Sequence, residues 1–145
     1  MAELSLEQAN QLISAIFSEA ARLGLPPIAA AVLDGGGHLK SMQRQDGLSF
    51  LRADICQAKA WGALAMGSDT HQLADRFAQD AQQQGFMQAL NAMSGGRIIP
   101  LPGGVLIRDD AGRILGAVGV AGAASEQDEA CALAGIRSIG LAGGT

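Results

Sequence analysis

Two hydrophobic periods divide this chain. From Ser5 to Gly24, Leu6, Ala9, Leu12, Ile13, Ile16, Phe17 and Ala20 recur at helical spacing and make one apolar stripe. Ser5 and Gln8 form an S-x-x-Q capping box at its start. Gly24 ends it where a left-handed residue is favoured, and Pro26-Pro27 prevents continuation. Residues 28–34, IAAAVLD, are short and apolar, as a buried strand is, and 38–44, HLKSMQR, read as its antiparallel partner. Asp34 and Gly35-Gly36-Gly37 supply the turn between them. Period two puts His38, Lys40, Met42 and Arg44 on one face of the second strand and Leu39, Ser41 and Gln43 on the other.

The helical period returns at Asp46 or Ser49 and runs to Met66, with Leu51, Ile55, Ala58, Gly62 and Ala65 near one stripe. Gly67 ends it, and Ser68, Asp69 or Thr70 caps a further helix over 70–82, with Leu73, Ala74, Phe77 and Ala81 apolar. Residues 83–104 carry loop signals (QQQGF, MSGG, RIIPLPGG), with room for a short edge strand at Arg97–Ile99. A second hairpin follows: VLIRD at 105–109, a turn at Asp110-Ala111-Gly112, then RILGAVGVAG. On its last strand Leu115, Ala117, Gly119 and Ala121 share a face small enough for a helix to pack closely, while Ile114, Gly116, Val118 and Val120 point the other way. Ser125 opens the last helix in an S-x-x-D box with Asp128, and Leu133, Ile136 and Ile139 supply its core side. The order α-β-β-α-α-β-β-β-α, with both hairpins antiparallel, predicts an α+β fold. One domain over 1–145 would hold an antiparallel sheet of about five strands flanked by helices.

Composition agrees with a folded domain: 48% of residues are hydrophobic and only 17% charged. Aromatic residues are sparse and small ones abundant, which favours thin layers or tight subunit contacts. A net charge of -4 without a Lys/Arg stripe argues against a nucleic-acid partner. No basic segment leads into an apolar core at the N-terminus, and no apolar run approaches the roughly 18 residues of a membrane span, so a cytoplasmic protein is expected. Cys56 and Cys131 lie far apart in helical patterns and read as reduced thiols rather than a disulfide or zinc site.

Candidate chemistry is scattered. Gly35–Gly37 lacks the lysine and hydroxyl of a phosphate loop and precedes a strand, so it reads as a turn. The His38, Lys40, Met42, Arg44 face gathers an imidazole, a thioether and two cations. It suits an anionic ligand, even a metallo-macrocycle with carboxylate arms; the plainer reading is a wet sheet face. Neither His38 nor His71 has an H-x-x-x-H partner. Lys59, in AKAW, needs a carboxylate if buried, with Asp46 a candidate; the two are candidates for acid–base work. Asp128 and Glu129 are explained as charges at a helix start. Gly103-Gly104 could offer backbone amides to an anion or simply bend the chain.

Taken in order, AAAVLDGGGHLKSMQRQDG, ICQAKAWGA, SDTHQLA, LPGGVLIRDDAGRILGAVGVAG and SEQDEACALAGI resemble the GlcG/HbpS, or haem-degrading-domain, family, which includes the C-terminal domain of PduO-type corrinoid adenosyltransferases. The resemblance runs from residue 4 to about 141. Its D-x-G-G-x-L turn appears as Asp34, Gly36, Gly37 and Leu39; its R-M-D-G as Arg44, Gln45, Asp46 and Gly47, with the Met replaced. Lys59-Ala60, Gly103-Gly104-Val105 and Asp128-Glu129 also match, although Leu106 stands where a proline is often found. The resemblance implies a profilin-like fold, homo-oligomers, and an association with haem or corrinoid (cobalamin) ligands and with diol, glycerol or glycolate catabolism. The expectation is therefore a cytoplasmic, oligomeric accessory protein for a tetrapyrrole or similar small molecule. His38 or Met42 would be an axial ligand, Lys40 and Arg44 would meet carboxylates, and Asp46, Lys59, Gly103 and Gly104 would also line the site. The alternatives are an enzyme acting on a small oxygenated metabolite at an inter-subunit pocket, and an assembly protein without ligand.

Overall fold

The computed structural model describes residues 3–144. The first helix, α1 (Leu6–Arg22), leads into the hairpin β1 (Ala29–Asp34) and β2 (Leu39–Arg44). Three helices follow, α2 (Leu51–Met66), α3 (Thr70–Gln79) and α4 (Ala81–Met93). The second hairpin, β3 (Gly104–Arg108) and β4 (Ile114–Ala121), precedes α5 (Ser125–Ser138) and a short β5 (Ala142–Gly143). The strands form one antiparallel sheet in the order β2-β1-β4-β3-β5, so the predicted α+β class and both hairpins hold.

Two details differ. Residues 81–93 are helical, started by the Asp80 carboxylate, which accepts a hydrogen bond from the Gln83 amide at 2.8 Å. Phe86, Met87, Leu90 and Met93 keep helical spacing along α4, but only Met87 is buried, Leu90 packs beside it, and Phe86 and Met93 are exposed. Arg97–Ile99 stays outside the sheet, and the fifth strand comes from Ala142–Gly143 beside Ile107 and Arg108. No helix among the described residues is long and apolar enough to cross a membrane.

The two faces of the sheet are packed differently. On one side α1 and α5 bury branched side chains, among them Leu12, Ile13, Ile16 and Ile136, against Val32, Val105, Val118 and Val120. On the other side α2 meets small residues: Ala60 and Ala63 lie with Leu33, Leu106 and Ala117, and Cys56 with Ala29, Ala31 and Ala121. The approach is close enough to be backbone on backbone. A Cβ on Gly119 of β4 would collide with the Cys56 carbonyl oxygen, and one on Gly104 of β3 with the Lys59 carbonyl oxygen. Of the face read from Leu115, Ala117, Gly119 and Ala121, the last three are thus the seat of α2, while Leu115 lines a hollow near the start of β4 instead. The α3–α4 pair closes the end of this layer through Leu73, Met87 and Ile98. The free thiols fall one on each side, and burial pushes Cys56 up to about 12 and Cys131 up to about 11.

The helix starts are mixed. The Ser5 box forms in both directions, with Gln8 N donating to Ser5 Oγ and Ser5 N to Gln8 Oε1, each at 3.0 Å. By contrast α2 begins at Leu51 after Phe50, without a side-chain cap from Asp46 or Ser49. Ser125 is the first residue of α5 rather than its cap; Ala124 holds that position and Asp128 is diverted elsewhere.

Bulges interrupt two strands at the same end of the sheet. Val32 pairs with Ser41 but Leu33 with Leu39, so Lys40 is an extra residue in β2. Likewise Ile107 pairs with Gly116 and Arg108 with Ile114, which leaves Leu115 extra in β4.

Because no side chain can yield where backbone meets backbone, Gly119→Ala is expected to cost at least about 1–3 kcal/mol. Gly85→Ala, in α4 with nothing within 4 Å of the new methyl, is expected to gain up to about 1 kcal/mol from helix propensity. Urea unfolding of both variants checks the contrast.

Candidate functional site

The glycine turn is built around one carboxylate. Asp34 Oδ1 accepts from the amides of Gly36 and His38, both at 3.0 Å, and lies 3.4 Å from His38 Nδ1. The His38 amide above all holds the Asp34 carboxyl below its ordinary value. The carboxylate faces one ring nitrogen of an imidazole whose side chain is 83% exposed, and Nε2 is the nitrogen left for an outside partner. The three-glycine stretch is therefore a turn, as expected, and it presents a histidine.

His38 stands at the rim of a hollow of about 370 Å³, whose wall includes Leu4, Lys40, Arg113, Ile114 and Leu115. Both bulged residues, Lys40 and Leu115, line it. The result is an imidazole and two cations around an apolar wall, with Glu3 the other carboxylate beside Asp34.

The bulge also divides the predicted strand face. Past Lys40 the alternation changes side, so Met42 pairs with Ala31 and packs under α2 with Ala29 and Cys56. Arg44 is exposed and donates from Nη1 to the Leu48 carbonyl at 2.7 Å. It lines a separate shallow hollow with Asp46, Phe17 and Pro27. His38 and Lys40 are thus together, while Met42, Arg44 and Asp46 are elsewhere. A strict period of two cannot foresee an inserted residue.

Lys59, Gly103 and Gly104 form a third group, and here the structure replaces the expected partner. Lys59 is 2% exposed, and its Nζ lies 3.2 Å from Asp128 Oδ2 and donates to the Val120 carbonyl at 2.9 Å. Asp128, 1% exposed, takes the Ala123 amide on Oδ1 at 3.0 Å. Asp46 is exposed and is not the counter-ion, so the Lys59–Asp46 acid–base pair has no geometric basis. Nor is Asp128 a simple helix-start charge. Burial pulls the Lys59 ammonium below its ordinary value and pushes the Asp128 carboxyl above its own; their mutual attraction opposes both shifts. Gly103 adjoins this pair, since a Cβ there would lie 2.8 Å from Lys59 Nζ.

Three further polar residues near α3 have partners that their cap-like positions do not foretell: Asp69 holds the N-cap position without a side-chain cap bond. The buried Asp69 accepts from the Leu106 amide at 2.9 Å, and Thr70 Oγ1 accepts from the Gly104 amide at 2.9 Å, so both serve β3 where short β5 does not reach. His71 Nδ1 meets Glu129 Oε2 at 2.9 Å, which joins α3 to α5 and gives Glu129 a partner 58 residues away. Such pairs are invisible to motif reading, because the spacing between partners is set by the fold.

Residues 4–137 match the family of haem degrading, HbpS-like proteins. The chain belongs to this family. It is 31% identical over 128 residues to an uncharacterised 15.0 kDa protein from the dhaT-dhaS intergenic region of Citrobacter freundii, covering 88% of this chain and 86% of that one. It is 28% identical over 138 residues to the corrinoid adenosyltransferase PduO of Salmonella typhimurium, covering 95% of this chain but 39% of the transferase. Among solved structures it superposes on a PduOC–haem complex with a TM-score of 0.85, at 27% identity and over 97% of each chain. HbpS follows at 0.77 and 27% identity, over 95% of this chain and 91% of that one. The HbpS-like fold thus accounts for the layers described above.

Removal of one partner from the buried ion pair strands the other, so Asp128→Ala is expected to cost about 3–5 kcal/mol in urea unfolding. Lys59→Met combined with Asp128→Ala should cost less than the sum of the single changes.

Burial also raises the Asp69 carboxyl above its ordinary 3.8. A carboxyl raised on folding contributes stability that is complete below its unfolded value and is lost as the pH rises through its folded value. Asp69→Asn keeps an acceptor for Leu106, so its stability should improve relative to the parent as the pH rises from below 3.8 through the acid range. Urea midpoints across that range read the difference; a constant gap contradicts it.

Proposed function

We propose that this chain is a cytoplasmic, homo-oligomeric accessory protein that binds a tetrapyrrole of the haem or corrinoid class, in the service of diol, glycerol or glycolate catabolism. The observation that carries the reading is the hollow beside His38. Such a macrocycle is held by an axial donor to its metal, by cations where its arms are carboxylates, as in haem, and by an apolar wall for the ring. His38, backed by Asp34, is the donor; Lys40 and Arg113 are the cations; Leu4, Ile114 and Leu115 are the wall. The volume of about 370 Å³ falls in the range of small-molecule sites, roughly 300–1,000 Å³. The bound group would supply a metal centre whose potential and reactivity are tuned by axial ligation and burial. Similarity to a haem complex and to a corrinoid adenosyltransferase supports the ligand class, and the relative between dhaT and dhaS supports the catabolic setting.

In this reading Arg113 takes the part that the strand pattern assigned to Arg44. Absorbance titration with haemin, repeated with cobalamin, tests it. A saturable Soret change is expected with haemin, altered in position by His38→Ala and weakened by about tenfold or more in Lys40→Ala/Arg113→Ala. Arg44→Ala should bind as the parent does. The absence of saturable binding to either macrocycle, or weakening only by Arg44→Ala, would overturn the assignment.

A further inference from the structure

A second hollow opens on the α2 side of the same turn. Asp54, Gln57, Ala58 and Trp61 follow one another at i, i+3, i+4 and i+7 along α2 and line it with Leu33, Gly37, Leu39, Gly96 and Arg97, around a volume of about 380 Å³. Its components are ordered by chemistry. Leu33, Leu39, Ala58 and the Trp61 indole make an apolar floor, and Leu39 is 51% exposed despite being a leucine on a strand. The Arg97 guanidinium lies 3.8 Å from the centroid of the Trp61 ring. Arg97 Nε donates to the Ser94 carbonyl at 2.7 Å, which fixes the guanidinium in place. Among the described residues no hydrogen bond or ion pair occupies its terminal amino groups. Acceptors line the same hollow: the Asp54 carboxylate, and the Oε1 of Gln57, whose Nε2 is turned to the Ala53 carbonyl at 3.4 Å. Gly37, with φ +84, approaches the indole without a side chain; a Cβ there would lie 3.5 Å from the ring.

We infer that this hollow is a binding site, separate from that of His38, for a small planar carboxylic acid carrying a hydroxyl or amino donor. The carboxylate meets Arg97 where the guanidinium caps the indole, the ring lies on the apolar floor of Leu33, Leu39 and Ala58 beside Trp61, and the donor reaches Asp54 or Gln57. A simple anion would not need the indole, and a neutral aromatic would not need a fixed guanidinium. The acidic residue on the wall disfavours a ligand with a second carboxylate.

Trp61 is the only tryptophan and the chain has no tyrosine, so intrinsic fluorescence reports on the surroundings of this one indole, which also borders a hollow with Gly35, Gly36 and Leu64; Arg97→Gln tells the two apart. The probe is 4-hydroxybenzoate, titrated into the full chain by fluorescence and by calorimetry. Two controls each lack one feature: 4-hydroxybenzyl alcohol has no carboxylate, and benzoate has no donor. Saturable binding with a change in Trp61 emission is expected, about tenfold or more weaker for the alcohol and in Arg97→Gln, and weaker for benzoate. His38→Ala, which removes the haem-side imidazole, should leave this binding unchanged, so the two sites stand or fall separately. No saturable change, or equal affinity in Arg97→Gln, overturns the proposal.

Discussion

The contact on which the other features depend is the backbone-to-backbone approach of α2 to strands β3 and β4. At Gly104 and Gly119 the helix carbonyls occupy the space a side chain would take. This brings Lys59 close enough to the end of β4 for its ammonium to reach the Val120 carbonyl and, past the sheet, the Asp128 carboxylate of α5. Since α2 and α5 cover opposite faces, the ion pair is a clamp between the two layers, made where the strand ends. Asp128 passes the restraint on through the Ala123 amide, which sets the turn from β4 into α5. Two charges buried in this way are costly unless each is fully partnered, and among the described residues no buried side-chain polar atom lacks a hydrogen bond.

The other organising constraint is the pair of bulges. An extra residue in β2 and another in β4 shift the alternation at one end of the sheet only. Lys40 is thereby turned toward Leu115 and Arg113 on one side, while Leu39 faces Trp61 on the other. A single turn, Asp34–His38, therefore borders two hollows of different character. One offers an imidazole and cations, the other an indole stacked with a guanidinium.

Much of this was legible in the sequence. The capping box of Ser5, both hairpins, the buried α1 stripe and the small face of β4 follow from local rules of spacing and size. What escaped follows from two causes. In α4 the helical spacing of Phe86, Met87, Leu90 and Met93 is short and is flanked by the loop-like QQQG and SGG runs, and a strand such as β5 is too short to leave a period at all. Non-local pairs, Lys59 with Asp128 and His71 with Glu129, depend on the finished packing, so the carboxylate nearer to Lys59 in sequence, Asp46, is not its partner. The predicted strand face is divided for a different reason, the bulge: His38 and Lys40 precede the point where the alternation changes side, and Met42 and Arg44 lie beyond it.

The two thiols acquire a use from their placement. Cys56 is sealed beneath α2 and Cys131 beneath α1 and α5, each with a pKa too high for thiolate chemistry while covered. Each becomes reachable by an alkylating reagent only when its own layer lifts from the sheet. The molecule thus carries one built-in chemical clock per layer, and the two run at the same rate only if the layers come away together.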